Sequence, residues 1–139
     1  MLFRSSLIPD QIHISPQLFR LVHRALGKES IYYTTDAMAA AGAPPGVYTI
    51  GALELEVGAD QIVHQPGRSN YAGSALRPID GVFRAAQMLR CGWREVWDGF
   101  SVRPAKCIGL NSRLEVGQPA NFCLLTLTAE NQLAAAKSY

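Results

Sequence analysis

Ile8-Pro9-Asp10-Gln11-Ile12-His13-Ile14 is followed by Ser15-Pro16, then by Leu18, Phe19, Leu21, Val22, Ala25 and Leu26 at helical spacing, then by Gly27 and Ser30-Ile31-Tyr32-Tyr33-Thr34-Thr35-Asp36. The order of these pieces decides the fold. The apolar run from Ile8 to Ile14 predicts a strand. Ser15 suits a helix N-cap, and Pro16 suits the first turn, where its missing N–H would be unpaired anyway. Gly27 provides a stop with positive φ. Ser30 to Thr35 is rich in β-branched and aromatic side chains and predicts a second strand ending at Asp36. Strand, helix and strand with short connections make a βαβ unit with two parallel strands, so the class is α/β.

Working outward, residues 38–46 (Met-Ala-Ala-Ala-Gly-Ala-Pro-Pro-Gly) predict a small-residue loop directly after Asp36. Val47 to Ile50, Leu53 to Val57 and Gln61 to His64, separated by Gly51, Gly58 and Asp60, predict an antiparallel meander. Residues 66–77 predict a second irregular loop. Ile79, Val82, Phe83, Ala86 and Leu89 then fall on one face of a helix opened by Pro78. Trp93, Val96, Trp97 and Phe100 repeat the pattern after Gly92, with their rings assigned to the core. Arg103 to Leu110 predicts a short third helix and Phe122 to Leu127 a late strand. The Ala-rich tail, Thr128 to Tyr139, carries no clear packing face.

The chain has 139 residues, of which 48% are apolar and 17% charged. That excludes the polar, charge-rich composition of disorder and predicts a packed body. Thirteen basic and 11 acidic residues are scattered along the chain, giving a net charge of +2 with no basic stripe. Nucleic acid and membrane surfaces are therefore not expected partners. The opening Met1-Leu2-Phe3-Arg4-Ser5-Ser6 lacks the apolar core of a signal peptide, so the expected compartment is the cytoplasm. Cys91, Cys107 and Cys123 sit in apolar settings with no Cys-x-x-Cys spacing, and are expected to be small buried hydrophobes.

Asp36 is the sharpest candidate for chemistry. In parallel α/β sheets the catalytic groups sit where strands end, and the loop from Met38 is placed to cover Asp36. His13 is expected at the carboxyl end of the preceding strand. Parallel strands would bring both to one rim, as a histidine–carboxylate pair suited to acid/base work. His23, on the helix, and His64, in the meander, are assigned surface or packing roles. Arg68 sits in a glycine-containing loop, where an anion contact competes with simple solvation.

Three motifs carry a family likeness: Leu7-Ile8-Pro9-Asp10-Gln11-Ile12-His13, Tyr33-Thr34-Thr35-Asp36-Ala37-Met38 and Tyr71-Ala72-Gly73-Ser74-Ala75-Leu76. In order and spacing they resemble the last third of the N-acetylglucosamine-6-phosphate deacetylase family, within the amidohydrolase superfamily. Arg103-Pro104-Ala105 to Leu110, with Gly117 to Leu125, resembles that superfamily's closing stretch. The likeness runs from residue 7 to about 127. It implies the last two βα units of a (β/α)8 TIM barrel, a small β meander and a C-terminal strand of an accessory β-sandwich. Residues 1–110, with the meander at 47–64, would belong to the barrel, 111–127 to the small β-domain and 128–139 to a tail.

The resemblance also implies roles. Asp36 matches the family's general base, which takes a proton from the attacking water and delivers it to the leaving amine. His13 matches a residue that contacts the sugar phosphate or its carbonyl, Asp10 lies in the same strip and would line the site, and Tyr71, Ala72 and Gly73 match the substrate-binding loop. The family uses a divalent metal, zinc or iron, held by a glutamate and two histidines on earlier strands. Those ligands have no counterpart here, so this chain alone is expected to hold no metal and to be inactive. Gln11 stands where the family carries glycine, and Asn121 where it carries aspartate. The expected partners are an amino-sugar phosphate and either the missing barrel portion or further copies of the chain. The rival expectation is a non-catalytic sugar-phosphate-binding or regulatory domain on the same fold.

Overall fold

A computed structural model describes residues 4–112 and 114–139, so Met1 to Phe3 of the leader reading lie outside the described residues. The βαβ unit forms, with its first strand moved. β1 is Ser5–Leu7, followed by α1 (Pro16–Leu26), a 3-10 turn and β2 (Ile31–Tyr33). β1 and β2 pair in parallel, Ser5 opposite Ile31 and Leu7 opposite Tyr33. The run from Ile8 to Ile14 is therefore not a strand but a bent connection. Pro9 lacks an N–H for a ladder, and Asp10 turns the chain through its own carboxylate, as described below.

The helix signals read as expected. The Ser15 hydroxyl accepts from the Leu18 N–H at 3.2 Å, Pro16 occupies the first turn, and Gly27 follows the helix with φ +73°. α1 drives Phe19 into the core, where it is fully buried against Ile31 and Tyr33 of β2 and Val82, Ala85 and Met88 of α2 (Pro78–Leu89).

The meander has four strands rather than three. β3 (Gly46–Ile50), β4 (Leu53–Val57), β5 (Ile62–His64) and β6 (Tyr71–Ser74) pair antiparallel in sequence order. β6 falls inside the stretch expected to be irregular. It pairs with β5, and Ser74 also forms a parallel bridge with Ala37, just beyond β2. A second core of Met38, Ala40, Leu55, Val57, Val63 and Ala75 fills the inner face of this sheet.

The helix expected from Trp93 to Phe100 is broken. α3 covers only Trp93–Val96, the chain tightens to a 3-10 turn over Trp97–Gly99, and α4 spans Val102–Cys107. Gly99 permits the break: a Cβ there would collide with the Tyr33 ring. Trp93 and Trp97 are partly buried against the first core. The tail departs most from expectation. Leu133–Ser138 forms β8, paired antiparallel with β7 (Cys123–Leu127). The cysteines also differ, since Cys107 and Cys123 are exposed and Cys91 is half-buried.

Candidate functional site

The connection after β1 is built around Asp10. Its side chain is only 2% exposed. Oδ1 accepts from the backbone N–H groups of Ile12 and His13, both at 2.9 Å, and Oδ2 lies 2.5 Å from His13 Nδ1. Arg84 on α2 donates to the Asp10 carbonyl at 3.0 Å and ties the turn to the first core. The Asp10 carboxylate is therefore turned inward, into its own turn and the His13 ring.

His13 sits six residues past the end of β1 rather than at its tip. The carboxylate it meets is Asp10, not Asp36. Its ring keeps 24% of its surface exposed and stands edge-on to Tyr71, with centroids 5.1 Å apart. Tyr71 lies opposite His64 across the β5–β6 ladder, their rings 6.0 Å apart. His64 is thus part of the cluster, although the sequence suggested a surface or packing role. The signal was its register: a histidine at the end of β5 faces whatever begins β6.

Asp36 emerges exposed after β2 with φ +49°, a left-handed conformation that aspartate tolerates better than most residues. Its carboxylate takes no hydrogen bond or ion pair among the described residues. Its carbonyl accepts from the Ser74 N–H at 2.9 Å, and the Ser74 carbonyl accepts from the Met38 N–H at 2.9 Å. β6 is therefore laid between the two candidates. Its Tyr71 end meets His13 and its Gly73-Ser74 end meets Asp36. Gly73 has φ +85°, and a Cβ on it would stand 3.2 Å from the Asp36 carbonyl oxygen, so this approach requires glycine. Ala72 is half-buried on the same strand.

This arrangement exposes an unpaired carboxylate, an oriented imidazole and a strand that fixes their separation. A divalent metal needs three or more converging donors. Among the described residues no group of three His, Cys, Asp or Glu side chains converges. The residues present do not fit a metal centre by themselves.

His23 and Tyr33 form a separate cluster beneath α1. Tyr33 Oη and His23 Nε2 are 3.2 Å apart, and both rings touch Phe19. Burial, then the nearby Arg103 guanidinium, pushes the His23 pKa down to about 4. Burial pushes the Tyr33 hydroxyl up to about 12. Arg103 is buried above the Tyr33 ring and donates to the Lys28 carbonyl. These are packing groups, away from the exposed rim.

No protein-family profile matches the chain. The chain is 32% identical over 123 residues to the N-acetylglucosamine-6-phosphate deacetylase of Bos taurus, a match covering 86% of this chain and 29% of that protein. It is 33% identical over 119 residues to the enzyme of the same name from Vibrio furnissii, covering 84% of this chain and 29% of the relative. The chain thus spans about three-tenths of the length of the curated relatives it matches. A solved structure of N-acetyl-D-glucosamine-6-phosphate deacetylase from Mycobacterium smegmatis, a complex with N-acetyl-D-glucosamine-6-phosphate, superposes with a TM-score of 0.79 at 26% identity. That match covers 96% of this chain and 36% of the neighbour.

Proposed function

We propose that the chain is the C-terminal portion of an N-acetylglucosamine-6-phosphate deacetylase, an enzyme that hydrolyses the acetamide to glucosamine 6-phosphate and acetate. In this assignment residues 1–110 belong to a barrel, contributing its last two βα units, and the β7–β8 hairpin belongs to an accessory β-domain. The carrying observation is that the chain matches a deacetylase over 86% of its own length while covering only 29% of that enzyme.

The chemistry follows from the rim. Asp36, exposed and unpaired, accepts a proton from the water as its oxygen bonds to the acetyl carbon. It returns that proton to the nitrogen as the carbon–nitrogen bond breaks. His13 and the backbone around Tyr71, Ala72 and Gly73 hold the sugar phosphate. Divalent metal ligands do not come from these residues, so a complementary portion supplies them. The chain by itself is inactive, and the enzyme it completes acts in the cytoplasm.

The test is acetate release from N-acetylglucosamine 6-phosphate, by the purified chain and by the chain mixed with the remaining two-thirds of a related deacetylase. The expected result is none from the chain alone and measurable turnover from the mixture. Asp36→Asn should lower that turnover by about 10²–10⁴-fold, the usual contribution of a positioned general base. Turnover by the chain alone overturns the assignment. Saturable binding of glucosamine 6-phosphate with no turnover in the mixture supports instead a non-catalytic sugar-phosphate-binding domain.

A further inference from the structure

We infer that Asp10 is a positioning residue that fixes His13 as its Nδ1–H tautomer and presents Nε2 as the atom that meets the ligand. The inference rests on the proposed function only for the identity of that ligand, an amino-sugar phosphate.

Three observations carry it. First, every hydrogen bond that Asp10 makes through its carboxylate is turned inward. Oδ1 takes the two backbone N–H groups of Ile12 and His13, and Oδ2 takes the ring at 2.5 Å. A carboxylate is acceptor-only when ionised, so the proton in the last bond belongs to Nδ1. The tautomer of a histidine is set by the bond its other nitrogen makes. Neutral His13 therefore offers a lone pair at Nε2, and protonated His13 offers an N–H there. Nε2 has no partner among the described residues.

Second, the carboxylate is closed to any ligand. The void bordered by Asp10, Ser74 and Arg84 is about 10 Å³. That is about the minimum for one water and far too small for a sugar. Third, the turn is anchored from outside the loop. Arg84 holds the Asp10 carbonyl from α2, and the Tyr71 ring stands edge-on to the imidazole with centroids 5.1 Å apart. The turn that carries His13 and the imidazole itself are thus each held by an element distant in sequence, which would not be so for a freely rotating surface histidine.

The test uses the full chain labelled with ¹⁵N, without ligand, at a pH where the ring is neutral. Long-range ¹H–¹⁵N correlation reports which ring nitrogen carries the proton, and His13→Gln identifies the His13 signals among those of the three histidines. Wild-type His13 is expected to carry its proton on Nδ1. Asp10→Asn keeps an oxygen for the two backbone N–H groups and places an amide donor opposite Nδ1, so the proton should swap to Nε2. A purely structural role for Asp10 would not produce that swap.

An Nε2–H tautomer in the wild-type chain overturns the inference, whether or not Asp10→Asn folds. Glucosamine 6-phosphate is then added to the wild-type chain. If the Nδ1–H tautomer is found but the sugar phosphate leaves the His13 signals unmoved, the positioning role stands and the ligand assignment falls.

Discussion

Gln11 holds φ +66° in the middle of the Asp10 turn, a region where a side chain costs about 1 kcal/mol and glycine costs little. The sequence flagged this position because its relatives-by-resemblance carry glycine, and the backbone supplies the reason. The compensating contact is one exposed bond from Gln11 Nε2 to Gln87 Oε1 at 3.0 Å. Exposed hydrogen bonds contribute little, so Gln11→Gly is expected to raise the unfolding free energy by about 0.5 kcal/mol. Chemical denaturation measures this, and a loss of stability would show that the Gln87 bond outweighs the strain. The exposed position of Asp36 just beyond β2 was legible because a strand end followed by a small-residue loop is a local pattern. The role of Asp10 was not legible. Aspartate three residues before histidine is compatible with lining a site or with making a turn, and only its burial decides between them.

Whole elements succeed or fail in the sequence according to where their pairing energy comes from. α1 and α2 carry their own signals in Ser15, Pro16, Gly27 and Pro78, and both appear where expected. β6 is Tyr-Ala-Gly-Ser and β8 is Leu-Ala-Ala-Ala-Lys-Ser, compositions depleted in strand formers. Their neighbours make them strands, through β5 and Ala37 for β6 and β7 for β8. Gly73→Ala tests that dependence. Positive φ and the 3.2 Å approach to the Asp36 carbonyl should together cost about 1–3 kcal/mol. The loss should appear first as faster amide exchange at Ser74 and Met38, and uniform exchange across the chain would contradict it.

The α1–β2–α4 layer also carries a pH dependence. His23, held near pKa 4 in the fold against 6.5 when unfolded, leaves the unfolded chain binding more protons between those values. Stability is complete above pH 6.5 and falls as the pH drops toward 4. Because His23 is only half-buried, solvent screening reduces the loss to about 1–2 kcal/mol. Denaturation midpoints measured between pH 7 and 4 should show the decline, and His23→Phe should flatten it while keeping the ring packing.

Burial is distributed unevenly over the whole molecule, and that distribution bears on the proposed assignment. Two cores serve residues up to Arg103, while none of the described residues beyond it is buried. The β7–β8 hairpin stands over a cleft of about 870 Å³ lined in part by Trp93, Trp97, Leu114, Phe122 and Leu125. Val116 and Leu124 are exposed, and so are Val47 and Ile50 on β3. The parallel sheet has two strands, so β1 leaves one edge without a strand among the described residues. Open edges and apolar faces of this extent favour association with further chain. At concentrations of tens of micromolar the isolated chain is expected to sediment as dimers or larger species and to bind a hydrophobic dye. Adding the remaining portion of a related deacetylase should convert it to a defined complex and suppress the dye signal, because the same surfaces are then covered. A compact, cooperatively unfolding monomer with no dye binding would mean that the cleft closes on itself. In that case the apolar faces would belong to a self-sufficient domain, and the free-standing binding domain would become the better account of the chain.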